Sequence, residues 1–339
     1  MNDRSQSVKI SESVSPRVRL SYGVPQGSVL GPSLFSIYSK PLAEIARSHD
    51  VSVHLYADDT QLYIPFNPLD LDSVNTKRQK LERCVADMKE WMRWNKLKLN
   101  DAKSEFLLLS SKYQKVDLQF NSLCIGDSDV IPSQTARNLG VLFDSNMTMN
   151  GFVQKTCQAM YFHLRSISNV RKILSDKTVA IIIHSFVISR LDYCNSLLYN
   201  MSSFQLAKLQ RAQNSAARIL SRTCKRDHIS PVLKGLHWLP VRERIEYKIL
   251  LITWKAMHGF APSYIYNLIS EYVPSRSLRS SGKNLLVAKR TRSSFGDRAF
   301  TSVAPCLWNE LPAHIRSLQT LDSFKSNLKT VLFSKAYST

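Results

Sequence analysis

Two adjacent aspartates, Asp58 and Asp59, stand between two segments in which apolar and polar residues alternate. The alternating apolar positions are Val51, Val53 and Leu55 before the pair, and Leu62 and Ile64 after it. A period of two is typical of strands, so this pattern predicts a β-hairpin whose turn carries both carboxylates. Carboxylate oxygens are the ligands that Mg²⁺ prefers, and a paired set at a turn leaves room for phosphate oxygens. The alternative is a solvated Asp-Asp turn that binds nothing.

The segment Gly23–Pro32, which reads GVPQGSVLGP, precedes this hairpin. Ser28 has the hydroxyl of a helix N-cap, so we expect a helix from there to about Arg47. Gly27 leaves the backbone open to close approach by a base or sugar. The alternative for Gly27 is a helix-entry turn that needs a small residue.

Five segments follow one another in an order that is more specific than any one of them. They are Arg4-Ser5-Gln6-Ser7-Val8, Gly23 to Pro32, Tyr56-Ala57-Asp58-Asp59, Trp91 with Leu97-Lys98-Leu99-Asn100-Asp101-Ala102-Lys103, and Leu139-Gly140-Val141. In this order they resemble the reverse transcriptase of non-LTR retrotransposons, which are LINE-type elements, here nearest to the CR1/L2 group. The resemblance covers nearly the whole chain.

The resemblance implies an α+β fold, with a partial polymerase palm followed by a mainly α-helical thumb and C-terminal region. The palm is expected to be an antiparallel sheet with packed helices. Intact relatives would extend a DNA primer on an RNA template with Mg²⁺ and deoxynucleotides. Asp58 would be the principal metal ligand and Asp59 its neighbour.

The same resemblance implies further contacts around the carboxylates. Gln26, Gly27, Tyr56 and Ala57 would contact nucleotide and template, and Lys103 would lie near the nucleotide phosphates. The alternative for Lys103 is an ordinary surface lysine at a strand entrance. The segment 139–141 is similar to the family's segment that grips the primer end.

A complete two-metal site holds its ions about 3.5–4 Å apart and needs carboxylates from two separated strands. The acids before Gly23 are Asp3 and Glu12, and Glu12 lies in a Ser-rich stretch that predicts a hairpin turn between residues 8–10 and 18–20. Neither acid stands where the family carries its first palm aspartate. We therefore expect an N-terminally truncated reverse transcriptase that lacks the fingers and is inactive alone, which puts Mg²⁺ binding in doubt. The alternative is a non-catalytic RNA- or DNA-binding remnant, or a relic with no selected role.

The 339-residue chain has a formal net charge of +20 and a pI of about 9.8. Phosphate contacts supply sequence-independent affinity, so this excess predicts a nucleic-acid partner, here RNA, DNA or an RNA–DNA duplex. The alternative is a generally basic surface without a particular partner.

One predicted helix, capped by Ser202 or Ser203, concentrates that charge. Its apolar face carries Leu206, Leu209, Ala212, Ala216, Ile219 and Leu220. At 100° per residue, the opposite face carries a band of four cations, Lys208, Arg211, Arg218 and Arg222. No acid occurs between Lys208 and Arg226, whereas a solvated face normally mixes signs. We therefore predict that this stripe follows a phosphate backbone.

The remaining patterns limit the other classes of function. Six cysteines without Cys-x-x-Cys spacing predict reduced thiols in an intracellular protein of the nucleus or cytoplasm, and the set Cys224, His228 and His237 lacks a fourth zinc ligand. Neither a signal peptide nor a membrane span is expected. The predicted domains are a partial palm at 1–145, a helical thumb-like region at 146–273, and a basic linker with a C-terminal packing element at 274–339.

Overall fold

The computed structural model describes residues 4–21, 23, 27–110, 122–274, 284–291, 293 and 295–338. Strands and helices up to residue 133 are β1 Arg4–Gln6, β2 Lys9–Ile10, β3 Ser13–Val14, β4 Val18–Leu20, α1 Gly31–Ser39, α2 Pro41–Ser48, β5 Ser52–Tyr56, β6 Asp59–Tyr63, α3 Leu71–Trp94, β7 Phe106–Leu107, β8 Leu123–Ile125, β9 Ser128–Val130 and β10 Pro132–Ser133. The later elements are β11 Thr135–Asn138, β12 Val141–Asp144, α4 Asn150–Val170, α5 Asp176–Ile183, α6 Ser189–Asp192, α7 Ser203–Ser221, α8 Ile229–Gly235, α9 Val241–Met257, α10 Ser263–Tyr266, α11 Phe300–Glu310, α12 Ala313–Arg316 and α13 Leu321–Tyr337. This mixture of helices and small sheets agrees with the predicted α+β class.

The chain divides into two compact units. The first contains Met1–Phe106 and Val116–Pro132, and the second contains Leu107–Lys115 and Ser133–Thr339. The three-domain division at residues 145 and 273 follows the sequence resemblance and stays a prediction.

In the first unit, the hairpin β5–β6 packs on helices α2 and α3. The inward side chains Val53, Leu55 and Leu62 lie against a small buried core. That core contains Leu42 and Ala46 of α2, Val51, and Cys84 and Met88 of α3. Asp70 is the N-cap of α3, and its carboxylate accepts a hydrogen bond from the Ser73 N–H at 3.0 Å. Along α3, the inward positions Leu81, Val85, Met88, Trp91 and Met92 follow the spacing of three and four residues that gives a helix one apolar face.

The N-terminal strands pair differently from the prediction. The sequence predicts a hairpin between residues 8–10 and 18–20, but β4 pairs with β1, with Arg4 opposite Leu20. The short strands β2 and β3 pair with each other and place Glu12 in an exposed turn. The reason is that a second, two-residue turn at Ser11–Glu12 closes inside the larger hairpin. Asp3 lies outside the described residues.

The single helix predicted from Ser28 to about Arg47 is two helices in the structure, α1 and α2. The N-cap of α1 is Leu30, and no side chain caps this helix, so the prediction of Ser28 as the N-cap is wrong. Pro32 stands in the first turn of α1, where a missing N–H costs nothing. Pro41 then starts a separate helix, α2, since proline cannot continue the hydrogen-bond ladder of α1.

The second unit is mainly helical and has a large core. Trp254 of α9 and Trp308 of α11 are fully buried there, as is Phe324 of α13. The predicted apolar face of α7 is confirmed, and Ser202 caps this helix by accepting a hydrogen bond from the Gln205 N–H at 3.4 Å. Helix α9 contributes Leu250 and Trp254 to this core.

The basic linker predicted at the start of residues 274–339 includes the tract Arg276–Arg298. Residues 276–283, 292 and 294 of this tract lie outside the described part. Elsewhere in the tract, Leu286 is buried and forms an isolated antiparallel bridge with Glu271. The Leu286 N–H donates to Asn309 Oδ1 at 2.9 Å. This part of the tract is therefore fixed to the core. Among the described helices, none combines the length and the apolar composition that crossing a bilayer requires.

Candidate catalytic hairpin and nucleic-acid interface

The predicted hairpin with its carboxylates at the turn is confirmed. Five cross-strand pairs run from Ser52 opposite Tyr63 to Tyr56 opposite Asp59, and Ala57 and Asp58 form the two-residue turn. Ala57 has φ 52°, in the left-handed region, which lets the chain reverse within two residues. Asp58 and Asp59 are both exposed, so their oxygens face solvent at the tip.

One face of this hairpin is apolar and the other is polar and aromatic. The rings of His54 and Tyr63 stack on the outer face with centroids 5.4 Å apart, and Tyr56 on the same face is exposed. The inner face contacts α2 and α3, as described above. The buried face therefore fixes the register, and the register fixes which residues stand at the tip.

The donor set at the tip fits a hard cation only in part. Asp58 and Asp59 supply carboxylate oxygens, which suit Mg²⁺. Among the residues that the structure describes, no group of three or more His, Cys, Asp or Glu side chains could hold a metal ion. The hairpin therefore offers two carboxylates without a third protein ligand from the described residues.

Of the predicted nucleotide and template contacts, Tyr56 and Ala57 lie at the hairpin tip itself. Gln26 lies outside the described residues. Gly27 has φ +85°, and an added Cβ there would meet no atom within 4 Å. The positive φ is reason enough for a glycine, and the space around it is open. Lys103 is exposed and ends the 3₁₀ turn Asp101–Lys103.

Side-chain contacts hold this 3₁₀ turn in place within the first unit. Asp101 accepts a hydrogen bond from the Asp127 N–H at 3.0 Å, and Lys89 Nζ lies 3.7 Å from Asp101 and 2.5 Å from Asp127. Gly126 adopts φ +65°, and a side chain at this position would collide with the Asp101 carboxylate. Both facts require a glycine here. Asp101 therefore has a structural role, and it fixes the position of Lys103 two residues later.

Leu139 and Gly140 form the tight turn of the hairpin β11–β12, and Val141 is the first residue of β12. Both Leu139 and Gly140 have positive φ, 45° and 82°. The Tyr193 hydroxyl donates a hydrogen bond to the Leu139 carbonyl, and its ring atoms lie 3.5 Å from where a Gly140 Cβ would stand. The turn is therefore a firm feature of the second unit.

The four cations predicted as one stripe on α7 differ in what they contact. The Arg218 guanidinium donates to the backbone carbonyls of Cys224 at 2.6 Å and Asp227 at 2.9 Å. Arg222 lies 3.6 Å from the Asp176 carboxylate of α5. These two arginines thus hold the loop after α7 and the neighbouring helix.

Lys208 and Arg211 face a different environment. Lys208 Nζ lies 4.4 Å from the centre of the Phe204 ring, a cation–π contact, and Arg211 Nε donates to the Ala207 carbonyl of its own helix at 3.2 Å. Both side chains line a groove whose other wall belongs to α4.

The α4 wall of this groove was not singled out from the sequence. It presents Gln158, Tyr161, Phe162 and Arg165, whereas Met160 and Leu164 turn into the core. A sequence signal for this wall exists, because these polar and aromatic positions recur every three or four residues along α4, opposite its apolar face. Burial raises the pKa of the Cys157 thiol in this groove, and the charges of Lys208 and Arg211 act against that shift.

Residues 9–143 match the family described as reverse transcriptase (RNA-dependent DNA polymerase). The chain is also 27% identical over 176 residues to the probable RNA-directed DNA polymerase from transposon BS of Drosophila melanogaster, covering 49% of this chain and 18% of that protein. A second relative, the probable RNA-directed DNA polymerase from transposon X-element of the same fly, is 27% identical over 164 residues, covering 45% of this chain and 16% of the relative.

The alignments thus span less than a fifth of the length of these two relatives. No solved structure matches the chain. The matched residues include the Asp58–Asp59 hairpin, both helices that support it, and the 3₁₀ turn with Lys103. The predicted resemblance is therefore confirmed over residues 9–143, which are similar to the reverse transcriptase family, and both relatives are polymerases of transposons.

Proposed function

We propose that this chain is part of an RNA-directed DNA polymerase, in which the hairpin β5–β6 supplies carboxylates to the metal site. The observation that carries the proposal is the turn itself, which places Asp58 at the tip and Asp59 at the first strand position, both exposed. Bound Mg²⁺ would stabilise the negative charge that develops on the transferred phosphate. Within the chain, the task of Asp58 and Asp59 is to hold that ion.

Other residues of the first unit would position the substrates. Gly27 would allow a base or sugar close to the backbone, with Gln26 beside it in sequence. Tyr56 and Ala57 would contact nucleotide and template at the tip. Lys103, fixed by the Asp101 contacts, would face the nucleotide phosphates as a point charge. On this assignment the first unit includes the partial palm.

The helical part of the chain would act as the thumb that holds the RNA template with its DNA primer. The net charge of +20 supports this role, because cations distributed over a surface bind phosphates without regard to sequence. Lys208 and Arg211 are the members of the α7 stripe that are open to such a partner. Arg218 and Arg222 would contribute to the field while they hold their structural contacts.

A second candidate is a nucleic-acid-binding remnant without catalysis. The observation that favours it is that the described residues place no third carboxylate with Asp58 and Asp59. Charge and shape survive the loss of one catalytic ligand, because they are distributed over many side chains. Both candidates share the nucleic-acid partner and differ in chemistry.

The shared partner is tested by the salt dependence of binding. An RNA–DNA duplex labelled with fluorescein should bind the chain at low salt, and the affinity should fall steeply between about 50 and 200 mM salt, since each neutralised phosphate releases counterions. Fluorescence anisotropy measures this directly. Polyglutamate, a polyanion without phosphates or bases, should compete weakly at equal charge. Absence of binding at the lowest salt, or an affinity that salt leaves unchanged, would show that the proposed partner is wrong.

A further inference from the structure

The groove between α4 and α7 has a volume of about 780 Å³. Its lining runs along α4 from Gln154 to Arg165, which at 1.5 Å per residue is a length of about 16 Å. Its other wall carries Lys208 and Arg211 of α7. A groove of this length accommodates a few nucleotides of an extended strand.

The groove is lined by three cations and by no acid among the described residues. Arg165, Lys208 and Arg211 all line it. Within the part of the chain that the structure describes, none of the three forms an ion pair. By contrast, Arg171 and Arg222 are both paired with Asp176. The three groove cations are therefore available to an external anion.

Two aromatic side chains line the same groove as those cations. Phe162 is 69% exposed and Tyr161 is 44% exposed, although both are large apolar groups that gain free energy when covered. The bases of a duplex already stack on each other, so exposed rings gain little from it. Unpaired bases, in contrast, stack on aromatic side chains while their phosphates contact neighbouring cations.

We propose that this groove binds a short unpaired stretch of RNA or DNA, with bases stacked on Tyr161 and Phe162 and phosphates held by Arg165, Lys208 and Arg211. This inference rests on the proposed function, because it takes nucleic acid as the partner class. It goes further in assigning the groove, with Lys208 and Arg211, to an unpaired stretch of that nucleic acid rather than to its base-paired part.

The test compares four ligands: a twelve-residue oligouridylate, the matching oligothymidylate, an abasic oligonucleotide of equal length, and the RNA–DNA duplex. The double substitution Tyr161→Ala with Phe162→Ala should weaken binding of the oligouridylate or the oligothymidylate by about tenfold or more. Binding of the abasic strand and of the duplex should change by less than about twofold, because neither offers a free base to stack. Whichever of the two pyrimidine strands loses more affinity identifies RNA or DNA as the preferred ligand.

Charge is tested separately. Lys208→Glu with Arg211→Glu should weaken all single strands, including the abasic one. The matched control is Lys177→Glu with Lys329→Glu, two exposed lysines outside the groove with the same change in net charge. A similar loss in both double variants would mean that only net charge matters, and would overturn the assignment.

A measurement on the parent protein guards against misfolded variants. Alkylation of Cys157, which lines the groove, should slow when oligouridylate is bound, whereas the exposed Cys124 and Cys224 should react at unchanged rates. Mass spectrometry of the peptides reads each site. Unchanged Cys157 reactivity at saturation overturns the groove assignment.

Equal losses of duplex and single-strand binding in the aromatic variant would place the duplex in the groove, which contradicts this inference but supports the proposed function.

Discussion

Replacing Arg171 by Met is expected to lower the free energy of unfolding of the helical unit by about 3 kcal/mol or more. Arg171 is buried, and its guanidinium donates to the carbonyls of Ile219 at 2.8 Å and Leu220 at 2.9 Å, at the C-terminal end of α7. Methionine fills similar volume but leaves both carbonyls without a donor. Urea denaturation followed by far-UV circular dichroism measures the loss.

The matched control is Arg222→Met. Arg222 approaches the same Asp176 carboxylate, but its side chain is 62% exposed, so we expect a change below about 1 kcal/mol. Equal losses in the two variants would contradict the capping role of Arg171. The hydrogen bond from Arg171 also lowers the pKa of Asp176. The stability that this hydrogen bond contributes is fully present above pH 3.8, the ordinary pKa of Asp, and is lost as the pH falls through the lowered pKa of Asp176. Acid should therefore reduce the difference in unfolding free energy between Arg171→Met and the parent.

Trp254→Ala is expected to cost about 3–5 kcal/mol of stability. The Trp254 ring is fully buried, stacks on His258 with centroids 3.9 Å apart and lies 5.6 Å from Phe324. Its Nε1–H donates to the Leu318 carbonyl at 2.9 Å. Alanine removes these contacts together and leaves a large cavity between α9 and α13. Thermal unfolding by calorimetry is the appropriate measurement.

Phe260→Ala is the control for this substitution. Phe260 stacks on the same indole with centroids 5.8 Å apart, but it is 66% exposed, so its removal should cost about 1 kcal/mol or less. If Trp254→Ala proved as mild as Phe260→Ala, the helical unit would not depend on this core, and the buried position of Trp254 would be wrong.

The sequence predicted the candidate catalytic hairpin well because its information is local. Alternation fixes the two strands, the turn follows from the two residues between them, and the supporting face of α3 follows from helical periodicity. The same holds for α7, whose Ser202 cap and apolar face could both be predicted from nearby residues.

The predictions that failed depended on competition between local alternatives. The hydroxyl of Ser28 was compatible with a cap, but Pro32 and Pro41 decided where α1 and α2 begin. The alternation of the N-terminal strands is compatible with more than one pairing. The observed register, with Arg4 opposite Leu20, depends on where the inner turn at Ser11–Glu12 forms, and alternation does not determine that position.

The site on α7 was only partly accessible to sequence reasoning for a different reason. A helical wheel places Lys208, Arg211, Arg218 and Arg222 on one side, but it contains no information on the neighbours of each side chain. Asp176 is 46 positions away from Arg222 in the chain, and the aromatic wall of the groove belongs to another helix. Contacts between distant segments require the three-dimensional packing.

We propose that Asp58 and Asp59 are two of the metal ligands of a polymerase whose site is completed by a further carboxylate. The decisive experiment is primer extension on an RNA template by the 339-residue chain, Asp58→Asn and Asp59→Asn, each assayed in Mg²⁺ and in Mn²⁺. Duplex binding is measured on the same preparations. We predict no incorporation above background in any of the three, while duplex binding remains. Template-dependent incorporation by the parent chain that Asp58→Asn abolishes would contradict this account, because it would require a complete metal site within the chain.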